Sequence, residues 1–377
     1  MSVFLTIYIY KKIIVKVDLR IIKMISNEIL FFGSFIVFVL GVLILDLGVF
    51  SKESKPVTFK VAATWSLVWI LFALSFYTFL NFYGHIIHGI YNFDKLNEVA
   101  SKYASHLVID PTNFELSMDN YRHNQALEFI TGYLVEYALS VDNIFVIMLI
   151  FSSFNVREKF YKKILFWGIL GAIVMRFAFI FSGAALISRF EWILYLFGGL
   201  LIFSGGKMFF AGEDDESIDT DKHPIVKFCT KYFPVFPKYV RDNFTIRRKG
   251  VLMITPLFVV LLIVEATDLI FAIDSVPAVF AVTKDPYIVF FSNIFAILGL
   301  RSMFFFLANI LPLFHYLKTG LACLLIFIGL KMLTPHEWLH TLGLGTSASL
   351  YVIIAILGGS IILSLVFPKK HTKKVVA

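Results

Sequence analysis

The chain has 377 residues, of which 59% are hydrophobic and 16% are charged, and its mean hydropathy is +0.82. A soluble core of this size could not bury so much apolar surface, so the composition indicates a protein that has lipid as its solvent. The net charge of +8 is weak evidence for nucleic-acid binding, because the basic residues lie in short segments between apolar runs. Cys229 and Cys323 are far apart, and neither a disulfide framework nor thiol chemistry is predicted.

The apolar runs predict the fold class, an all-α polytopic helical membrane bundle with about nine transmembrane helices. A spanning helix needs roughly 20 mostly apolar residues, whereas outer-membrane strands alternate over about ten residues. The segments that meet the helical criterion are 29–50, 61–83, 126–151, 164–187, 191–209, 251–282, 287–308, 313–333 and 348–367.

These spans divide the chain into seven parts. We expect an N-terminal extension, two leading spans, an extracytoplasmic loop, a first repeat of three spans, a cytoplasmic linker, a second repeat of three spans, and a last span with a basic tail. Their ranges are 1–28, 29–83, 84–125, 126–209, 210–250, 251–333 and 334–377. The extension resembles a signal peptide without a convincing cleavage site, so we expect residues 1–23 to be a mis-assigned start or a dispensable addition.

Basic residues predict the orientation, because cytoplasmic loops are enriched in Lys and Arg. With the N-terminus outside and the C-terminus inside, the cytoplasmic segments carry 20 basic residues and the outer segments carry 10. We therefore predict an N-out, C-in topology.

An internal duplication relates the two groups of three spans. Asp142 is followed by Arg176 after 34 residues and by Lys207 after 31 more, while Asp268 is followed by an arginine after 33 residues and by a lysine after 30 more. Those two residues are Arg301 and Lys331. Because three spans is an odd number, adjacent copies enter the bilayer from opposite sides, as in the inverted repeats of many transporters. We expect the two units to face each other around a midplane site.

Acidic residues inside the third and sixth spans are the candidate functional groups. Each ionised carboxylate at the bilayer centre costs roughly 2.5–3.5 kcal/mol, so such residues are functional by default. Helical spacing places several of them on shared faces, and all the donors are oxygens, which suit Mn²⁺, Mg²⁺ or Ca²⁺ better than copper or zinc. The candidate metal ligands are Glu136, Asp142, Asn143, Glu265, Asp268, Asp274 and Ser275.

Five further residues are accessory to this site. Arg176 and Arg301 balance charge and could pair with Asp142 and Asp268, which would also hold a bundle together without any transport. Asp46, Glu128 and Thr267 are accessory candidates, and Glu128 is either an entry ligand or a solvated residue at the outer mouth.

Pro277 predicts an unwound stretch in the sixth span, because it removes a backbone donor beside Asp274 and would free carbonyl oxygens for a cation. Two other features stay open between metal chemistry and a structural role. His85 and His88 could collect metal or pack at the interface, and the acidic stretch 213–221 could sense metal or serve as a solvated linker.

Two acidic motifs carry a family resemblance. Glu-Tyr-Ala-Leu-Ser-Val-Asp-Asn at 136–143, with Glu-Ala-Thr-Asp at 265–268 and Phe-Ala-Ile-Asp-Ser-Val-Pro-Ala at 271–278, resembles the signatures of the TerC family, in particular its Alx branch. The resemblance runs over roughly 29–367. It implies a bacterial inner-membrane protein linked to tellurium resistance, to redox modulation or to manganese export.

We therefore expect a secondary transporter, not an enzyme, that exports a divalent cation such as manganese through a midplane carboxylate site. Its partners are the divalent ion and the lipid bilayer, with no nucleic acid and no permanently bound cofactor; partner proteins in the membrane are unknown. The alternative is a non-transporting TerC-type protein that acts in metal, tellurium or redox stress, or that delivers metal to exported proteins.

Overall fold

The computed structural model describes residues 27–51, 57–190, 192–210, 223–248, 250–310, 314, 316–334 and 346–367, without the side chains of 46–51 and 309. The predicted extension 1–23 and the acidic stretch 213–221 lie outside these residues, as does the side chain of Asp46. The described residues form helices with one small hairpin.

The first four helices precede the duplicated region. They are α1 (Asn27–Ser51), α2 (Phe59–Tyr83), the short α3 (His85–His88) and α4 (Phe93–Tyr103). The predicted first span begins at residue 29, two residues too late, because α1 begins at Asn27 and Glu28 lies in its first turn.

The first unit contains α5 (Phe114–Ser153), α6 (Glu158–Arg189) and α7 (Trp192–Phe210). After it come α8 (Pro224–Tyr232), β1 (Thr245–Arg248) and β2 (Val251–Ile254). The second unit contains α9 (Pro256–Phe280), α10 (Pro286–Leu298), α11 (Leu300–Ile310) and α12 (Leu317–Leu333), and α13 (Thr346–Val366) follows.

The protein is a polytopic helical membrane protein. Among the described residues, seven helices are long and apolar enough to cross a membrane, and the bent pair α10–α11 would make eight. Each of the nine predicted spans overlaps one of these helices or α12, which has 17 residues. The count of nine stays a prediction.

Helix α5 is longer than the predicted span. Asn113 caps its start by accepting a hydrogen bond from the backbone N–H of Leu116, and the helix then runs for 40 residues, or about 60 Å. Most of its first dozen residues are polar, and all of them lie outside the predicted span 126–151, so part of the predicted loop 84–125 is helical.

The two-stranded hairpin is an exception to the all-α prediction. Strands β1 and β2 pair antiparallel with Arg248 opposite Val251, and the turn places Gly250 at a φ of +82°. Such a positive φ is favourable for glycine, which has no Cβ. The predicted start of the second repeat at residue 251 is therefore too early, because α9 begins at Pro256.

Helices α7 and α12 make the closest packing between the two units. A Cβ built on Gly205 would lie 2.8 Å from the carbonyl oxygen of Ala322, and one built on Gly198 would lie 3.0 Å from that of Gly329. The earlier glycine of α7, Gly198, thus meets the later residue of α12, and the later glycine, Gly205, meets the earlier residue. The two helices therefore run antiparallel. Small residues that allow such backbone approach are typical of membrane interfaces.

The same contacts have the symmetry expected of inverted copies. The lysine alignment makes Gly205 equivalent to Gly329 and Gly198 equivalent to Ala322. The contact of Gly205 with Ala322 is then the symmetry mate of the contact between Gly329 and Gly198. A twofold axis between the helices would produce this reciprocity. It supports the inverted repeat, which stays a prediction.

Candidate functional site

A buried arginine connects the two units. Arg176 lies in the middle of α6, is 0% exposed, and makes ion pairs with Glu136 of α5 and Asp268 of α9. Its Nη1 donates to Glu136 Oε1 and also, at 2.6 Å, to Asn293 Oδ1 of α10, while its Nη2 donates to Asp268 Oδ1 at 3.2 Å. One guanidinium thus joins carboxylates from the first and the second unit, which we call the Arg176 cluster.

Polar atoms that lack hydrogen-bond partners among the described residues lie in the cluster and further along α5 and α9. Buried polar groups in proteins are normally hydrogen-bonded, so a concentration of exceptions requires an explanation such as water or an ion. Five of these atoms are oxygens on α5 and α9, namely Glu136 Oε2, Ser140 Oγ, Asn143 Oδ1, Asp268 Oδ2 and Ser275 Oγ. The sixth is the Nε donor of Arg176 itself. The five oxygens can accept a hydrogen bond or coordinate a cation.

Glu265 contacts α6 one and a half turns from the arginine. A Cβ built on Gly171 would lie 2.1 Å from Glu265 Oε1, so the carboxyl group occupies space that only glycine leaves free. Thr267 donates its hydroxyl proton to the carbonyl oxygen of Ile263, one turn earlier in its own helix, at 2.7 Å. The half-buried Glu265 side chain therefore packs directly on the helix that carries Arg176.

Asp274 faces a different neighbour. Its Oδ1 accepts a hydrogen bond from Ser204 Oγ of α7 at 2.8 Å. The predicted unwinding before Pro277 is wrong, because α9 is helical from Pro256 to Phe280. On a continuous helix the six-residue separation from Asp268 places the two carboxylates on different faces, so the prediction that Asp274 points elsewhere on a straight helix is confirmed.

A second polar network lies about two turns from Glu136 along α5. Glu128 is 3% exposed, and its oxygens accept hydrogen bonds from Thr283 Oγ1 at 2.6 Å and Asn124 Nδ2 at 2.8 Å. The interpretation of Glu128 as a solvated residue is therefore wrong. Thr283 also accepts from the backbone N–H of Asp285, so the network continues into the start of α10.

His88 forms the other half of that network. Its Nδ1 lies 2.8 Å from Glu28 Oε1 and its Nε2 lies 2.8 Å from Asp285 Oδ2. Carboxylates only accept hydrogen bonds, so both ring nitrogens donate. The ring therefore carries a proton on each nitrogen and is positively charged. Burial alone would lower the pKa of His88, but the charge and hydrogen bond of Asp285, with those of Glu28, raise this pKa to about 9. His88 is thus a buried ion-pair residue between α1 and α10.

Comparison with known proteins identifies the family. The model of the Integral membrane protein TerC family matches residues 121–372. The chain belongs to the TerC family. A protein of Escherichia coli K12 named "Putative membrane-bound redox modulator Alx" is 40% identical over 346 residues, which cover 92% of this chain and 97% of that protein.

Two other relatives of this TerC-family chain have uninformative names. "Uncharacterized membrane protein STKORF319" of Myxococcus xanthus is 39% identical over 89% of this chain and 91% of its own length. An "Uncharacterized membrane protein" of Rickettsia bellii is 38% identical over 80% of this chain and 87% of its own length. No solved structure matches the chain. The family resemblance of the acidic motifs is confirmed, whereas the names do not specify a transported ion.

The polar residues of the TerC-family motifs differ in how deeply they are buried. Glu136, Asn143 and Ser275 are buried, and Asp142 is half-buried on α5. Arg301 is 4% exposed at the start of α11, next to the 45° bend between α10 and α11. The ion pairs described for Arg176 join it to Glu136 and Asp268, so this arginine contacts the aspartate that the sequence assigned to the other repeat.

Asn293 was not predicted. It is 0% exposed, accepts a hydrogen bond from Arg176, and donates one from Nδ2 to the carbonyl oxygen of Val289 at 3.0 Å. The sequence feature that could have identified Asn293 is that it carries the single amide side chain in the apolar run 286–298, which forms α10. Ser204 and Asp285 were also not predicted. The sequence alone does not show which groups a short polar side chain in the middle or at the end of a helix will bond to.

Among the described residues, no group of three or more His, Cys, Asp or Glu side chains is arranged to hold a metal ion. Arg176 instead lies between Glu136 and Asp268. A cation at this position would need amide and hydroxyl oxygens beside the carboxylates, and it would compete with the guanidinium.

Proposed function

We propose that this TerC-family protein is a secondary transporter that exports a divalent cation, with manganese as the candidate ion, across the bacterial inner membrane. The observation that carries the proposal is the Arg176 cluster with its unpartnered oxygens. Carboxylate, amide and hydroxyl oxygens are the ligands of hard divalent cations. Charged groups buried within membrane helices usually belong to an ion pathway.

Charge balance indicates how the cluster could exchange a cation. Glu136 and Asp268 together carry two negative charges when ionised, and Arg176 supplies one positive charge. A divalent ion that replaced the guanidinium contacts would leave Arg176 near the site as a repelling charge, which favours release. We propose that the ion binds to Glu136 and Asp268 while Arg176 moves aside. Asn143 and Ser275, each seven residues or about 10 Å along its helix from one of these carboxylates, would lie on the route of the ion.

The remaining predicted ligands take separate places on this route. Asp142 lies about 9 Å beyond Glu136 along α5, from six residues at 1.5 Å each. We propose that Asp142 and Glu265 extend the pathway from the cluster towards the face of the bundle where α5 ends and α6 and α9 begin. Asp274 contacts α7, and we assign it to the contact between the units rather than to the ion.

Conformational exchange would come from the two units. Arg176, from the first unit, bonds to Asp268 of the second, so a change at the cluster alters the contact between the units. In inverted-repeat transporters the substrate site lies at such an interface, and one repeat moves against the other. We propose that proton uptake by the carboxylates accompanies metal release, because a carboxylate binds either a proton or a metal.

The test is a flux assay with the purified protein in lipid vesicles, across a panel of divalent ions, with and without a pH gradient. We expect manganese flux, and we expect Asp268→Asn and Asp142→Asn to reduce it at least roughly tenfold, as loss of a metal ligand does. Asp94→Asn on the exposed face of α4 is the control and keeps the flux. Wild-type flux in both aspartate variants would refute the site.

Absence of flux for every ion would instead favour a non-transporting role. The relatives named as redox modulators suggest one such role, in redox, tellurium or metal stress. The described cysteines do not add support: Cys229 is buried, Cys323 is exposed, and both are free thiols.

A further inference from the structure

The segment between the two units, residues 223–254, has a fixed position relative to the membrane-spanning helices. Strand β2 ends at Ile254, and α9 begins two residues later at Pro256. Leu252 is therefore at most about 14 Å along the chain from the first residue of a spanning helix. We call residues 223–254 the basic segment.

The basic segment also packs against the first unit. Tyr239 Oη donates to the carbonyl oxygen of Phe154 at the end of α5, at 2.7 Å. Lys163 of α6 forms an ion pair with Asp242 at 3.2 Å, and its Nζ lies 4.9 Å from the ring centre of Phe244. Cys229 is fully buried in the apolar cluster that includes the start of α9. The segment is therefore held against the ends of α5, α6 and α9.

Its charge is strongly positive. Seven basic residues and one acidic residue, Asp242, occur within 223–254. The ion pair with Lys163, outside the segment, lowers the pKa of Asp242 and keeps it ionised without neutralising any of the seven. Six of the basic side chains are described, and all six are exposed: Lys227, Lys231, Lys238, Arg241, Arg247 and Arg248.

Large apolar side chains lie beside these charges and face solvent. On α8, Phe228 and Tyr232 are 54% and 61% exposed, and their rings contact each other at 5.0 Å. On the hairpin, Val251 and Leu252 are 52% and 63% exposed and pair with Arg248 and Arg247. Aromatic and aliphatic groups beside Lys and Arg are typical of segments that lie in the headgroup layer of a bilayer.

We propose that the basic segment is an interfacial lipid-binding surface that takes the headgroups of anionic phospholipids. Its position next to α9 brings it to the membrane surface, and its charge selects negative headgroups. The exposed rings of α8 and the hairpin side chains enter the headgroup layer, where apolar groups leave water.

The test measures lipid binding and does not require transport. The full protein is placed in nanodiscs of phosphatidylglycerol or of phosphatidylcholine, and hydrogen exchange of peptides from 223–254 is followed by mass spectrometry. We expect slower exchange in phosphatidylglycerol at low salt and a loss of the difference at high salt, because these contacts are screened. Retained phosphatidylglycerol is counted by native mass spectrometry.

The variant Arg247→Gln with Arg248→Gln should weaken phosphatidylglycerol binding about 30-fold, from the usual contribution of each basic residue near an anionic surface. Lys227→Gln with Lys231→Gln tests α8 independently of the hairpin. The control, Lys95→Gln with Lys102→Gln on α4, has the same charge change and should bind normally. The proposal would be overturned if the 223–254 peptides of the wild type exchanged at the same rate in both lipids. It would also be overturned if the control lost as much phosphatidylglycerol binding as the arginine variant. Both outcomes are independent of the flux assay.

Discussion

Arg176 is an unusual residue to find fully inside a helical membrane protein, and its hydrogen bonds explain how it is tolerated. Three of its bonds go to two carboxylates and one amide on three different helices. A buried charge is stable only when it is paired and hydrogen-bonded. The planar guanidinium can reach several partners at once, which an ammonium group cannot do with the same geometry.

Replacing Arg176 with Gln should therefore destabilise the protein by about 3–5 kcal/mol, because Glu136 and Asp268 would remain buried without a cation. Thermal unfolding of the purified protein in detergent measures this loss. Arg189→Gln is the matched control on the same helix, where the side chain is exposed in the last turn. Similar unfolding temperatures for the two variants would contradict the assigned role of Arg176.

His88 gives the fold a pH dependence with a defined sign. Its folded pKa is raised from 6.5 to about 9, so the protonated ring stabilises the fold below about pH 6.5, and this stability is lost as pH rises through 9. The shift corresponds to about 3 kcal/mol at most. The charged groups that face the ring are Glu28 and Asp285, and Tyr103 packs on it at 5.1 Å.

We expect the unfolding temperature of the wild type to fall between pH 7 and pH 10 more than that of His88→Gln, which has no proton to lose there. His85→Gln is the control, because burial and Arg122 lower the pKa of His85 and it is already neutral in this range. Parallel pH profiles for wild type and His88→Gln would show that the doubly bonded, protonated ring is not present.

Helix α7 provides a direct test of close packing between elements, because it has adjacent glycines in different environments. A Cβ on Gly205 would meet the Ala322 carbonyl oxygen at 2.8 Å, whereas a Cβ on Gly206 would have nothing within 4 Å. Backbone cannot give way as a flexible side chain can, so the two positions should respond oppositely to alanine.

Gly205→Ala should destabilise the protein by about 1–3 kcal/mol through overpacking. Gly206→Ala should be neutral or stabilise it by up to about 1 kcal/mol, because alanine favours the helix. Unfolding temperatures measured side by side distinguish the two. An equal effect of both substitutions would mean that α7 and α12 do not approach through Gly205.

The elements that the sequence predicts well are the ones with a strong apolar signal. The predicted spans 61–83 and 348–367 agree with α2 and α13 within two residues at each end. The start of α5 was missed because residues 114–125 are helical but mostly polar, and hydropathy does not detect a helix that lacks a continuous apolar run. The hairpin was missed because four-residue strands carry too little alternation to separate them from a linker.

The sequence named Glu136, Arg176 and Asp268, which the structure brings together, but it did not predict their pairing. Spacing along one helix identifies shared faces, and this placed Asp274 correctly away from Asp268. Contacts between helices depend on how the units pack, so Glu136 with Arg176, and Arg176 with Asn293, could not be read from one sequence. The oxygen-rich character of the site follows from composition, whereas the intervening arginine follows only from the fold.

At the scale of the whole molecule, the antiparallel contact between α7 and α12 predicts at which membrane face each unit ends. If α7 and α12 are inverted equivalents, Phe210 at the end of α7 and Thr334 just after α12 lie at opposite membrane faces. The distribution of basic residues predicts that Phe210 lies in the cytoplasm and Thr334 outside. Phe210 is 85% exposed, and Thr334 is half-buried, so both positions are open to a reagent.

Single cysteines test this arrangement in a background with Cys229→Ser and Cys323→Ser. A membrane-impermeant maleimide added to intact spheroplasts should label Thr334→Cys and leave Phe210→Cys unlabelled until the cells are lysed. Labelling of both positions from one side would contradict the inverted relation of the two units. Labelling of Phe210→Cys alone would keep that relation and reverse the orientation, which would place the basic segment outside and make the proposed direction of transport wrong.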